Sequence, residues 1–182
     1  IQTDNLHAII ANCFDCHTVP NERLVNVGQH VAGSASFDYL TWLDDSIRHN
    51  FLYSNGAENR RAPRDYPIDT RRRQAFITAE LVDLEYSLRG LSTASEDGPY
   101  AESLAARIQA ARETLASAAG AAPALVSLID QVNATLLTAE GKTPGDAAFA
   151  TASSAMSTLI DTWLEEEDGS NLAELDALIA TR

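Results

Sequence analysis

Residues 77–91 read ITAELVDLEYSLRGL, and the apolar side chains in this stretch recur at intervals of three and four. This spacing places them on one face of an α-helix, because a helix completes a turn in about 3.6 residues. The apolar set is Ile77, Leu81, Leu84, Leu88 and Leu91. The stretch therefore predicts an amphipathic helix that buries one face against neighbouring elements.

Three further stretches towards the C-terminus repeat this spacing, and no alternating strand pattern competes with them. They run from Leu104 to Ala118, from Leu125 to Ala139 and from Phe149 to Trp163. Short segments with glycine and proline separate the predicted helices, and short connections make neighbouring helices antiparallel. The sequence predicts an all-α fold with an up-and-down helical bundle over about residues 71–166. A short fifth helix is expected after Gly169-Ser170.

The part of the chain ahead of this bundle has a different pattern. A short helix is expected from Thr3, a loop over residues 18–36 and a further helix from about Phe37 to Phe51. We therefore predict two segments, with residues 1–70 forming a cofactor-binding segment of helices and loops. Residues 71–182 form the antiparallel helical bundle, and the two segments can share one core.

The charge balance excludes several classes of function. The 182 residues include 26 acidic and 13 basic side chains, which gives a formal net charge of −13. Such a charge opposes binding to nucleic acid or to an anionic membrane surface. We expect no membrane span, because the longest uncharged stretch is rich in alanine, serine and glycine. The chain starts at Ile1 with no export signal, and we expect that such a signal has been removed.

The two cysteines of the chain lie in the pentapeptide CFDCH, residues 13–17. This spacing is typical of covalent c-type haem attachment. Cys13 and Cys16 project from the same side of one helical turn, so their thiols can reach two vinyl groups along one haem edge. His17 then supplies the proximal iron ligand, and Phe14 and Asp15 are expected to act as spacers.

Three other interpretations compete for the cysteine pair. A thioredoxin-like Cys-x-x-Cys is expected beside a βαβ pattern, which the sequence lacks. A structural zinc site needs four ligands, with a second cysteine or histidine pair nearby. A disulfide between Cys13 and Cys16 would close a loop too small to stabilise the fold much. Haem attachment is the interpretation that the context favours.

With this motif the chain resembles c-type cytochromes. The stretch from Cys13 to about Leu91 resembles the haem modules of multihaem c-type cytochromes, in which a distal histidine follows the motif within a few dozen residues. This chain departs from them in having one attachment motif. The resemblance implies one covalent haem c. It also implies export to the periplasm or the extracellular space, because haem is attached to such motifs outside the cytoplasm.

The second axial ligand of the iron has several candidates. His49 is preferred, since Asp45 lies one helical turn earlier and can accept the outer hydrogen bond of its imidazole. His30 is the alternative, because it lies in a glycine-containing loop that can bring it over the iron. His7 precedes the motif on its own side, and Met156 lies on the apolar stripe of a predicted helix, where a core role is expected.

Arginines cluster between the two segments. Arg60, Arg61 and Arg64 are possible partners for haem propionates, because guanidinium groups bind carboxylates with two parallel hydrogen bonds. A solvated basic loop is the equally plausible alternative. Residues 71–73 are three arginines in the first turn of a predicted helix, which disfavours cations, so we expect an external acidic partner to compensate.

The sequence therefore predicts an electron carrier with one six-coordinate haem, and not an enzyme. Redox proteins are the expected partners. One alternative is a haem enzyme subunit or a gas or redox sensor with an open distal site. Another is a haem subunit that assembles with copies of itself, or into a larger cytochrome complex, to conduct electrons. The bundle is larger than one haem requires, which favours some partner.

Overall fold

The computed structural model describes residues 5–31, 37–41 and 68–181, and within these residues it is α-helical with no β-strand. The all-α prediction is therefore confirmed for this part of the chain. Among the described residues, one 3-10 turn, Pro123–Leu125, precedes the helix that begins at Val126. The α-helices are α1 (Leu6–His17), α2 (Glu22–Asn26), α3 (Tyr39–Thr41), α4 (Ile68–Thr93), α5 (Pro99–Ala121), α6 (Val126–Leu137), α7 (Ala147–Glu166) and α8 (Leu175–Ile179).

Helices α4 to α7 form the predicted bundle. Helix α4 packs against α5 and α7, and α6 packs against the same two helices, so each of the four helices has two neighbours within the bundle. The predicted apolar positions are buried, except that Ile108 and Leu159 lie partly exposed at the rim. The spacing of three and four residues therefore identified the packing faces correctly, because hydrophobic burial is the main force that joins these helices.

Helix α4 is buried beyond its apolar face, because α1 and α8 also pack against it. Thr78 and Ser87 are fully buried there. The Thr78 hydroxyl donates to the Gln74 carbonyl oxygen at 2.7 Å, and the Ser87 hydroxyl donates to Asp83 at 3.2 Å. These internal bonds remove most of the cost of burying a hydroxyl, so a helix with polar side chains can occupy the centre of the fold.

Helix α1 begins at Leu6, with Asn5 as its N-cap in place of the expected Thr3. The Asn5 side chain accepts a hydrogen bond from the Ala8 amide at 2.9 Å. Buried side chains of α1, including Ile10 and Phe14, belong to the same hydrophobic cluster as the bundle. The expected loop over residues 18–36 contains the short helix α2. The division of the chain at residue 70 stays a prediction.

An internal ion pair joins the start of α4 to α8. The Arg73 guanidinium donates to the two carboxylate oxygens of Asp176 at 2.7 and 2.6 Å, and it also donates to the Gly169 carbonyl oxygen at 3.3 Å. Arg73 therefore has an acidic partner inside the chain, where its place in the first helical turn predicted an external one. The pair also lowers the pKa of Asp176, chiefly through its hydrogen bonds with Arg73.

None of the helices found in residues 5–31, 37–41 and 68–181 combines the length and the apolar character that a bilayer crossing requires. The expected helix from Phe37 to Phe51 falls mostly outside these residues, which cover only its first turn, α3.

Candidate functional site

The Cys-x-x-Cys-His motif forms the C-terminal end of α1. Cys13, Cys16 and His17 follow the i, i+3, i+4 spacing of one helical surface. The helix stops at Thr18, whose hydroxyl donates to the Phe14 carbonyl oxygen at 2.7 Å. Val19 then takes a φ of +48°, which turns the chain away from the helix axis. The motif is therefore held at the end of a rigid element that is packed on the bundle.

The two thiols are free and differ in environment. Cys16 is exposed, while Cys13 is half-buried and packs against the hydrophobic core. Burial raises the pKa of Cys13, and the nearby charge of a Cys16 thiolate adds to the effect. Tyr39 of α3 is buried beside Cys13, and burial raises the pKa of its phenol. The thiols thus lie where solvent meets an apolar surface.

The imidazole of His17 stacks on Phe37. The two ring centres lie 4.1 Å apart and the ring planes differ by 4°. Burial lowers the pKa of His17, and the positive charge of Arg107 lowers it further. Both effects favour the neutral imidazole, which is the form that binds a metal ion. The stack also fixes the plane of the ring.

Phe14, which the motif predicts to be a spacer, anchors the motif to the rest of the fold. Its buried ring meets Phe37 edge-on at 5.1 Å between centres and meets Tyr86 of α4 at 6.0 Å. The Arg107 guanidinium lies 5.7 Å from the centre of the same ring. Contacts of this kind stabilise aromatic residues beyond the area that they bury.

Asp15, the second supposed spacer, also contacts α4. The Tyr86 hydroxyl donates to its carboxylate at 2.8 Å. The guanidinium of Arg89 covers the Tyr86 ring at 4.3 Å from its centre. The pKa of Tyr86 is raised to about 12, first by burial and then by the hydrogen bond to Asp15. Both residues between the cysteines therefore hold the motif in place against the central helix.

A buried ion pair between α4 and α5 lies beneath the motif. Arg107 donates through Nε and Nη2 to the two carboxylate oxygens of Asp83, each at 2.7 Å. The Arg107 side chain is 6% exposed and that of Asp83 is 15% exposed. Burial raises the pKa of Asp83, although the adjacent guanidinium opposes the rise. The apolar periodicity of α5 could not predict this ion pair, because Arg107 lies at a position of the helix where the pattern predicts an apolar residue.

His7 belongs to a second polar cluster, at the opposite end of α1. Its Nε2 lies 2.8 Å from a carboxylate oxygen of Glu85, and its Nδ1 lies 2.7 Å from Asp161. Arg89 also donates to Glu85 at 2.6 Å. Burial tends to lower the pKa of His7, but the bonds and charges of the two carboxylates outweigh burial and raise it. Helix α1 is therefore joined to α4 and α7 through one imidazole.

Of the four candidates for the second axial position, His7 is held by the two carboxylates described above. Met156 is fully buried in the bundle core, in agreement with the core role expected for it. His30 is exposed, and its Nδ1 lies 2.9 Å from the Val31 carbonyl oxygen. His49, the preferred residue, lies outside the described residues. So do the proposed propionate partners, which are Arg60, Arg61 and Arg64.

In the described part of the chain, no group of three or more His, Cys, Asp and Glu side chains has an arrangement that holds a metal ion. Comparison with protein-family models, curated proteins and solved structures finds no match to this chain. The candidate site consists of Cys13, Cys16 and His17 and the residues that pack around them.

Proposed function

We propose that this chain is an exported c-type cytochrome that carries single electrons. In this proposal Cys13 and Cys16 form thioether bonds to one haem, and His17 is the proximal iron ligand. The observation that carries it is the presence of two free thiols, at i and i+3 on one helical surface, followed directly by a half-buried histidine. This is the arrangement that covalent attachment along one porphyrin edge requires.

The surroundings of the motif fit a haem. Cys13 borders the hydrophobic core, and the aromatic rings of Phe37 and Tyr39 lie beside the motif, so an apolar macrocycle has an apolar surface to cover. Cys16 is exposed, so that the site has an open side through which haem can enter. Bound haem supplies an iron centre that gains and loses one electron.

The residues of the chain perform three tasks in this proposal. The thiols keep the cofactor attached, and the stack on Phe37 orients the neutral His17 ring for metal binding. Phe14 and Asp15 fix the end of α1 against α4, which limits movement of the ligand. A rigid ligand set suits electron transfer, because little rearrangement then accompanies a change of charge.

The alternatives for the cysteine pair have less support. A thioredoxin-like site needs strands beside it, and residues 5–31, 37–41 and 68–181 contain none. A zinc site needs four ligands, and the described side chains present no such group. The two sulfurs are not joined in a disulfide. Haem attachment requires nothing beyond Cys13, Cys16 and His17 at this position.

The decisive experiment measures covalent haem. The chain is produced with a signal peptide in the periplasm of a bacterium that matures c-type cytochromes. The intact mass of the denatured protein and its pyridine haemochrome spectrum are then recorded. We expect a mass increase equal to one haem, and a spectrum typical of two thioether bonds. The Cys13→Ala/Cys16→Ala variant is expected to lose the haem on denaturation.

A matched control separates attachment from folding. The variant Val27→Ala alters an exposed apolar residue ten residues after the motif in the sequence, and it should keep the covalent haem of the parent chain. A parent chain of unmodified mass, or one in which Cys13 and Cys16 are bridged, would contradict the proposal.

The distal ligand is tested by replacing His49 and His30, one at a time, with alanine. We propose His49 as the distal ligand, with His30 as the alternative. The parent protein should show a low-spin spectrum that carbon monoxide does not change. His49→Ala should convert it to a high-spin form that binds carbon monoxide, while His30→Ala should leave it unchanged. The reverse result would assign the position to His30, and carbon monoxide binding by the parent would favour the sensor or enzyme alternative.

A further inference from the structure

The buried ion pair beneath the motif places a fixed charge against the proposed haem site. The Arg107 guanidinium lies 5.7 Å from the centre of the Phe14 ring. Phe14 lies between the two cysteines in the sequence. Asp83 holds it there through two hydrogen bonds of 2.7 Å. A bidentate pair of this kind keeps the guanidinium in one orientation. The positive member of the pair is the one that contacts the motif.

We propose that Arg107 raises the reduction potential of the haem held by Cys13, Cys16 and His17, and that Asp83 positions its charge and partly offsets it. This inference rests on the proposed function. Arg107 and Asp83 are positioning residues, since neither is placed in contact with the reacting centre.

The sign of the effect follows from electrostatics. Oxidation adds one positive charge at the iron, and a nearby positive charge makes that addition less favourable. The side chain of Arg107 is 6% exposed, so water screens its field weakly. Asp83 has the opposite effect on the reduction potential. Its carboxylate stabilises the oxidised iron, and it therefore lowers the potential.

The test compares reduction potentials of variants with opposite charge changes. Arg107→Gln removes the positive charge, whereas Asp83→Asn removes the negative charge and keeps the arginine. We expect the first to lower the potential and the second to raise it, as measured by spectroelectrochemistry. Arg107→Lys should stay close to the parent. A purely structural role would move the Arg107→Gln and Asp83→Asn potentials in the same direction, because both variants break the same pair.

The Arg73–Asp176 pair provides a matched control. Arg73 donates two hydrogen bonds to Asp176 in the same bidentate geometry. Arg73 lies ten residues before Asp83, which corresponds to about 15 Å along α4. Arg73→Gln should leave the potential unchanged. Circular dichroism and urea unfolding establish that each variant folds, and Asp83→Asn carries the test if Arg107→Gln does not fold.

The outcomes distinguish the two proposals. A parent chain without covalent haem overturns the proposed function. A haem-loaded parent whose potential is unchanged in both Arg107→Gln and Asp83→Asn overturns the inference alone. Shifts of the same sign in these two variants, or an equal shift in Arg73→Gln, also overturn it. Opposite shifts with an unchanged control support it.

Discussion

The hydroxyl of Tyr86 donates to the carboxylate of Asp15 at 2.8 Å, and this bond joins the central helix to the middle of the Cys-x-x-Cys-His motif. Asp15 is exposed, whereas Tyr86 is buried under the guanidinium of Arg89. Asp15 occupies one of the two unspecified positions between the cysteines. Its bond to Tyr86 therefore fixes how the motif lies on α4.

The Tyr86–Asp15 bond should be measurable as a coupling energy. In a double-mutant cycle of Tyr86→Phe and Asp15→Ala, we expect a coupling of about 1 kcal/mol in the free energy of unfolding, because a typical intramolecular hydrogen bond stabilises by roughly 0.5–1.5 kcal/mol. Urea unfolding of the haem-free chain measures it. Asp15→Asn retains an acceptor and should lose less stability than Asp15→Ala. Additive single effects would show that the bond contributes nothing.

His7 should make the stability of the fold depend on pH. Glu85 and Asp161 raise its pKa above the ordinary value of 6.5, with Arg89 also bound to Glu85. The contribution of the protonated ring is then fully present below about pH 6.5 and is lost as the pH rises through the raised pKa. His7→Gln should therefore cost roughly 1–3 kcal/mol at about pH 6 and less at about pH 8.5.

Urea unfolding at the two pH values provides the measurement for His7. In the haem-free chain, His30→Gln is the matched control, because His30 is exposed and its variant should lose little stability at either pH. An equal loss for His7→Gln at both pH values would mean that the charge of the ring plays no part.

The two thiols should differ in reactivity before haem is attached. Cys16 is exposed, whereas Cys13 is half-buried and burial raises its pKa, so a smaller fraction of it is thiolate at neutral pH. Iodoacetamide should therefore modify Cys16 several times faster than Cys13 in the haem-free chain. Peptide mass spectrometry over time measures both rates. Equal rates in the folded chain, like those in urea, would contradict this expectation.

Two glycines should respond in opposite ways to substitution by alanine. Gly169 has a φ of +84°, and an added Cβ would collide with the Thr70 carbonyl group, so Gly169→Ala should destabilise the fold by about 2 kcal/mol or more. Gly120 lies within α5, with open space around an added Cβ. Gly120→Ala should stabilise by about 0.5–1 kcal/mol, since alanine favours the helix. Thermal unfolding measures both, and destabilisation by Gly120→Ala would be unexpected.

Much of the bundle could be predicted from the sequence. Ile77, Leu81 and Leu84 are fully buried, as their spacing predicts. The apolar spacing did not predict which polar side chains are buried on the other faces of α4. Glu85, with a side chain that is 3% exposed, occupies a position that a hydrophobic pattern assigns to solvent. It is buried because His7 and Arg89 bind it, and their approach depends on contacts between distant parts of the chain.

The order of residues alone determined the helices, the apolar faces and the Cys-x-x-Cys-His group, because these follow from spacing within one or two turns of a helix. The tertiary structure decided which charges meet across helices. Tyr86 reaches Asp15, Arg107 reaches Asp83 beside Phe14, and neither pairing has a periodic signal. The physical reason is that such pairs form where packed helices bring side chains together, and burial then makes each polar group depend on its partner.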